Sequence, residues 1–149
     1  MSGMRISDVL RAKGAEVATV APGASVVDLV AALVRHNVGA LVVTTGGGAA
    51  DPVMGIVSER DVVHALGELG AAALEWTVEQ LMSRQVLTCR PEDNVDGLAS
   101  TMTEQRIRHV PVLDDGALVG IVSIGDVVKS HISQLEADRD QLHSYIAQG

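Results

Sequence analysis

At 149 residues and 47% hydrophobic composition, the chain has material for one domain or two small intertwined halves, with an aliphatic core of Val, Leu, Ile, Ala and Met. A formal net charge of −8 argues against nucleic acid as the main partner, because neutralising a phosphate backbone needs clustered Lys and Arg; a small anionic ligand needs only a few local donors. The single cysteine, Cys89, excludes an intrachain disulfide and a multi-cysteine metal site, and Asp28, Arg35 and His36 interrupt the most apolar region, so no membrane span is expected.

Met1-Ser2-Gly3-Met4-Arg5 lacks the charged and then apolar pattern of a secretory leader, which makes a cytoplasmic location the expectation. Glu16 to Val20 reads as a short extended segment ending at the Pro22 turn. Ser25 is placed to cap a helix over Val26 to Arg35, where Val26, Leu29, Val30, Leu33 and Val34 fall at helical spacing. The run Ala40-Leu41-Val42-Val43 reads as a buried strand. Gly46-Gly47-Gly48 follows in a flexible hairpin connection to a third strand, Val53 to Val57; no Gly-Lys-Ser/Thr follows it, so it is not read as a phosphate loop. A second helix opens after Ser58.

The same order then returns. Val86 to Arg90 is extended, Asp93 or Asn94 caps a helix over Val95 to Gln105, and His109-Val110-Pro111-Val112-Leu113 is a strand. Asp114-Asp115-Gly116 turns the chain into Leu118 to Val122. Cys89, inside the extended segment, reads as an inert core thiol. From Val127 no helix breaker occurs before Gly149, so a long helix is expected. Val128, Ile132, Leu135, Leu142 and Ile146 recur on it at steps of four and three, with only Arg139 interrupting. That seam suits either packing on its own domain or pairing of two subunits. His64, His131 and His143 lie too far apart for a metal pattern and read as surface residues.

The chain therefore says nearly the same thing twice. Gly55-Ile56-Val57-Ser58-Glu59-Arg60-Asp61-Val62-Val63 returns as Gly120-Ile121-Val122-Ser123-Ile124-Gly125-Asp126-Val127-Val128. Thr19 to Pro22 matches Thr88 to Pro91 at an offset of 69, which falls to 65 past the longer glycine loop of the first copy. The flanks agree too, since Ile6-x-x-Val9-Leu10 echoes Val78-x-x-Leu81-Met82. Two copies are too few for a solenoid. The expectation is an α+β fold of two β-α-β-β-α repeats packed with pseudo-two-fold symmetry, plus a long C-terminal helix. Residues 1–70 form the first repeat with its N-terminal segment, 71–130 the second, and 131–149 the helical extension.

Each Ser-x-x-Asp sits where a strand gives way to a helix, beside free backbone N–H groups that can receive an anion. By itself such a pair is a capping arrangement. Its duplication suggests a receptor for something carrying both hydroxyls and phosphate, since an ionised aspartate can accept from two neighbouring sugar hydroxyls. Capping and binding can coexist in an empty cleft.

These residues resemble a tandem pair of CBS domains, a Bateman module. The resemblance spans roughly Ser7 to Lys129 and rests on the duplicated Gly-h-h-Ser-x-x-Asp, on Arg108-His109-Val110-Pro111-Val112 and on the Thr-x-x-Pro that opens each copy. The C-terminal helix is similar to that of small stand-alone bacterial proteins of this family. The resemblance implies a regulatory sensor rather than an enzyme, with no required cofactor and no catalytic or metal site. Its ligand would be AMP, ADP or ATP, with NAD and S-adenosylmethionine as further candidates. It would signal by changing shape towards a partner protein, as a homodimer joined through the CBS faces and the C-terminal helix.

The family also implies clefts shared between repeats. The first would combine Ser58, Arg60 and Asp61 with Thr88, Ile107, Arg108, His109 and Pro111. The second would combine Ser123 and Asp126 with Thr19, Val20, Val38, Gly39 and Ala40. Asp61 and Asp126 would accept the ribose hydroxyls, and Ser58 and Ser123 would face the α-phosphate. Gly125 stands where Arg60 stands, and Gly39-Ala40 where Arg108-His109 stand. The second cleft is therefore expected to be weaker, empty or filled by a less charged ligand. Two alternatives stay open: a ligand-free oligomerisation or adaptor protein, and a nucleotide-hydrolysing enzyme using Asp61, His109 and Arg108. For the enzyme no nucleophile elbow or Walker lysine appears.

Overall fold

The computed structural model describes residues 3–14 and 16–148. Its elements are α1 (Ile6–Lys13), β1 (Thr19–Val20), α2 (Val26–His36), β2 (Ala40–Thr44), β3 (Val53–Ser58), α3 (Glu59–Leu69), a 3-10 turn at Gly70–Glu75, α4 (Val78–Leu81), α5 (Val95–Gln105), β4 (His109–Asp114), β5 (Ala117–Ser123) and α6 (Ile124–Gln148). In the first repeat β1 runs parallel to β2, and β2 antiparallel to β3. In the second, β4 and β5 form the matching hairpin. Local chemistry sets the helix ends. Ser25 Oγ accepts the Asp28 N–H at 3.1 Å, and Asn94 Oδ1 accepts from Asp96 N at 2.8 Å and Gly97 N at 3.2 Å, so each helix starts with an orphan donor satisfied.

Two expectations are corrected. The extended segments are shorter than Glu16 to Val20 and Val86 to Arg90: only Thr19–Val20 forms a strand, and the second repeat keeps a single parallel bridge between Cys89 and Val112. Cys89 N–H donates to Pro111 O at 3.1 Å and Leu113 N–H to Cys89 O at 2.8 Å. Extending that ladder backwards would require a donor from Pro111, which has no N–H. The second correction is at the C-terminus. The helix opens at Ile124, where the second Ser-x-x-Asp places it, and continues unbroken for 25 residues, about 37 Å, with no boundary near residue 130. The second helix of the repeat and the expected extension are one rod.

The leading helices change partners. Ile6, Val9 and Leu10 of α1 are buried with Cys89, Val95, Leu98, Met102, Val110, Val112 and Val122, which is the core of the second repeat. Val78 and Met82, at α4, are buried with Val26, Leu29, Leu33, Leu41, Val43 and Val57, the core of the first. Each repeat is thus completed by the segment that precedes the other. The glycine that opens each signature is where this crossing occurs. A Cβ on Gly55 would lie 2.5 Å from Ser83 O and 3.0 Å from Met82 Sδ, and one on Gly120 would lie 2.6 Å from Leu10 Cδ2. Close approach of the exchanged segment, rather than a turn, is what requires glycine there.

Candidate functional site

The end of β3, the start of α3 and the start of β4 converge on a cleft of about 210 Å³ between the repeats. Ile56, Ser58, Arg60 and Asp61 line it from the first repeat, and Arg106, Ile107, Arg108 and His109 from the second. The connecting chain closes it with Ser83, Gln85, Val86 and Leu87. Ser58 N–H donates to Asp61 Oδ2 at 2.8 Å, the Ser58 hydroxyl donates to the same oxygen at 3.1 Å, and the Asp61 N–H returns to Ser58 Oγ at 3.3 Å. This is a capping box. It fixes the carboxylate by one oxygen and leaves Oδ1 without a partner among the described residues. The Glu59 N–H is taken by Gly39 O at 3.0 Å.

Arg60, Arg106 and Arg108 line the same cleft, all exposed, and among the described residues none of the three is in an ion pair. Three unneutralised guanidiniums on one cleft form a strong field for an anion. Arg106 terminates α5 in the left-handed region, with φ 56° and ψ 40°. A non-glycine residue there costs about 1–2 kcal/mol, so the helix end is held under strain beside the cleft. His109 has its pKa lowered below 6.5 chiefly by burial; Glu59 and Asp126 oppose that shift, and Lys13 and Arg108 add to it. It is therefore neutral at pH 7.

At the residues expected to form the second cleft, the capping frame recurs with different neighbours. Ser123 N–H donates to Asp126 Oδ2 at 2.9 Å and Asp126 N–H to Ser123 Oγ at 3.1 Å, repeating the capping geometry. Matching the repeats had left this cleft without a cation. The structure supplies one: Lys13, at the end of α1, places Nζ 2.6 Å from Asp126 Oδ2 and donates to Ile121 O at 2.8 Å. Both side chains are partly buried, 32% and 22% exposed. Burial would raise the Asp126 pKa, but the Lys13 hydrogen bond, the Ser123 N–H and the lysine charge outweigh it and hold the carboxyl below its usual range.

Not every residue expected at a cleft lies there. Thr88 and Pro111 do not line the first one; Thr88 opens onto a separate depression with Arg90, Glu92 and Asp93, and Pro111 is buried in β4. Thr19 spends its hydroxyl on Gly47 O at 2.7 Å, tying down the glycine hairpin, while Val20 and Ala40 are core residues. Val38 is partly exposed beside Gly39. Gly39 packs beside His109 and Glu59, where an added Cβ would lie 3.3 Å from His109 Nε2 and 3.4 Å from Glu59 Oε1. Arg106, Gln85 and Lys13 were missed in the sequence. Cys89 is buried at 4% exposure, and burial, with the Asp93 carboxylate adding to it, pushes its thiol up to about 12, as an inert core residue should be.

Fold and site together define a tandem-repeat module with a cleft at the interface of its two halves. The family model for the CBS domain matches residues 6–68 and 78–132, and the chain belongs to the CBS-domain family. It is 34% identical to the mitochondrial CBS domain-containing protein CBSX3 of Arabidopsis thaliana over 97% of this chain and 72% of that protein. The CBS-domain containing protein ATU1752 from Agrobacterium tumefaciens superposes with a TM-score of 0.81 at 42% identity, covering 88% of this chain and 97% of the other. Two further similar structures carry ligands. CBSX2 in complex with AMP matches at 29% identity and TM-score 0.69, over 88% and 98% of the two chains. The CBS pair of MJ0100, in complex with 5′-methylthioadenosine and S-adenosylmethionine, matches at 28% and 0.73, over 85% and 98%.

Proposed function

We propose that this CBS pair is a non-catalytic sensor that binds AMP, ADP or ATP in its first cleft and transmits occupancy to a partner protein. The observation that carries the reading is that one cleft of about 210 Å³ is lined by Asp61, with one carboxylate oxygen free, and by three arginines in no ion pair among the described residues. A carboxylate suits the vicinal hydroxyls of ribose and the guanidiniums suit phosphate. Adenosine-containing ligands in CBSX2 and in the MJ0100 pair support the same class. Ligand acts only through unequal affinity for two arrangements of the repeats. The cleft is built from both halves, so occupancy bears on how they sit together.

The exposed seam of α6 favours a homodimer as the working unit. Val128, Ile132, Leu135, Leu142 and Ile146 are 51–67% exposed in the single chain, a heptad-like stripe that a second copy would cover. A thermal-shift panel of AMP, ADP, ATP, NAD, S-adenosylmethionine and inorganic phosphate tests the reading. At about 100 times its dissociation constant the true ligand adds about 2.7 kcal/mol of stability. A flat response to every adenine compound would leave the adaptor reading in its place.

A further inference from the structure

We propose that the first cleft continues past its arginines into a second hollow and takes a dinucleotide: a pyrophosphate on Arg60, Arg106 and Arg108, an adenosine on the Asp61 side, and a second nucleoside of uncharged base on the other. This rests on the nucleotide reading above and extends it from one nucleoside to two.

A depression of about 420 Å³ adjoins the cleft, and Arg60, Arg106, Ile107 and Arg108 line both. The three arginines therefore stand as a ridge between two hollows. On the near side are Asp61 and the apolar groups of Ile56, Val86 and Leu87. On the far side are Met102, Thr103 and Ile124. The far floor is tied to the ridge, because the Ile124 N–H donates to Arg108 O at 2.8 Å. Size points the same way. The cleft alone, about 210 Å³, lies below the range of about 300–1,000 Å³ usual for small-molecule sites, and the adjoining depression brings the pair within it.

The chemistry beyond the ridge decides what fits there. A longer phosphate chain would need further donors. Among the lining residues on the far side, the arginines apart, the only polar side chain is that of Thr103, and its hydroxyl already donates to Ala99 O at 2.9 Å. Met102, Ile107 and Ile124 offer instead an apolar floor for the face of a base, and guanidinium planes at its edge can stack on the same ring. No carboxylate lines the depression. A cationic base would meet three like charges there with nothing to offset them. An anionic centre with a flat, uncharged group beyond it is the ligand shape that matches.

Calorimetric titration of ADP, NAD⁺ and NADH into the intact protein tests this. ADP carries the same pyrophosphate without the second nucleoside, and NAD⁺ carries a cationic ring where NADH has a neutral one. NADH should bind about tenfold tighter than ADP, and about threefold or more tighter than NAD⁺. Thr103→Gln, at an exposed helix position, fills the far hollow; it should bring NADH to within about threefold of ADP and leave ADP unchanged. Thr103→Ala adds nothing to the hollow and should keep the preference. NADH binding no tighter than ADP or than NAD⁺, or a preference that survives Thr103→Gln, overturns the proposal. ADP binding separates the two failures: where it persists, only the dinucleotide falls, and where none of the three ligands binds, the nucleotide reading of the cleft falls with it.

Discussion

Arg108→Met is a clean probe of the phosphate field. Arg108 is exposed and in no ion pair among the described residues, and its carbonyl, which accepts the Ile124 N–H at 2.8 Å, is unaffected by a side-chain change. Methionine keeps the aliphatic stem, so folding stability should move by less than about 0.5 kcal/mol. Any change should lie on the stabilising side, because one of three clustered positive charges is gone. A charge-assisted hydrogen bond to phosphate is worth about 1.5–3 kcal/mol. Exposure and salt screening argue for the lower end, roughly tenfold in affinity for AMP. Adenosine, which lacks the phosphate, should be unaffected. Calorimetry with AMP and adenosine, at two salt concentrations, reads both. Equal loss for the two ligands, or undiminished AMP binding alongside measurable adenosine binding, would refute the assignment of this arginine to phosphate.

Three further outcomes follow from the geometry. Arg106→Asn puts at the α5 terminus the residue type that ends α2 at Asn37, also left-handed at φ 53°; chemical denaturation should show about 0.5–1 kcal/mol of added stability, with AMP binding weakened severalfold. Gly55→Ala should destabilise by about 1–3 kcal/mol, because its Cβ meets the Ser83 carbonyl, and Gly120→Ala should cost less, because the Leu10 side chain can move; equal losses would contradict this. His109, with its pKa lowered, resists a proton that the unfolded chain accepts, so stability falls as pH drops below about 6.5. A bound phosphate raises that pKa, so AMP binding near pH 6 should take up a fraction of a proton, detected as a dependence of binding heat on buffer ionisation enthalpy.

What was legible in the chain was local. Ser25 and Asn94 announce helix starts through their own side chains, the hairpin turns through Asp115 and Gly116, and the Ser-x-x-Asp pairs through their spacing. Partner choice was not local. The apolar face Ile6, Val9 and Leu10 reads the same whichever core it enters, and only the folded chain reveals that it serves the second repeat. Lys13 lies outside the positions that match Arg60 and Arg108, and its contact with Asp126 depends on the exchange of the leading helix, which the repeat pattern does not show. Arg106 escaped for a similar reason, lying at a helix end opposite an ordinary Asn37. The over-long second extended segment came from reading propensity without the missing donor of Pro111.

The sugar-binding role of Asp61 is the claim on which the sensor account depends. Asp61→Ala should be studied by calorimetry with AMP, with circular dichroism and a melting curve to establish that the chain still folds after losing its capping carboxylate. The account predicts that AMP affinity at the first cleft falls by at least tenfold and that adenosine is lost with it. A folded Asp61→Ala protein that holds AMP as tightly as before would contradict it.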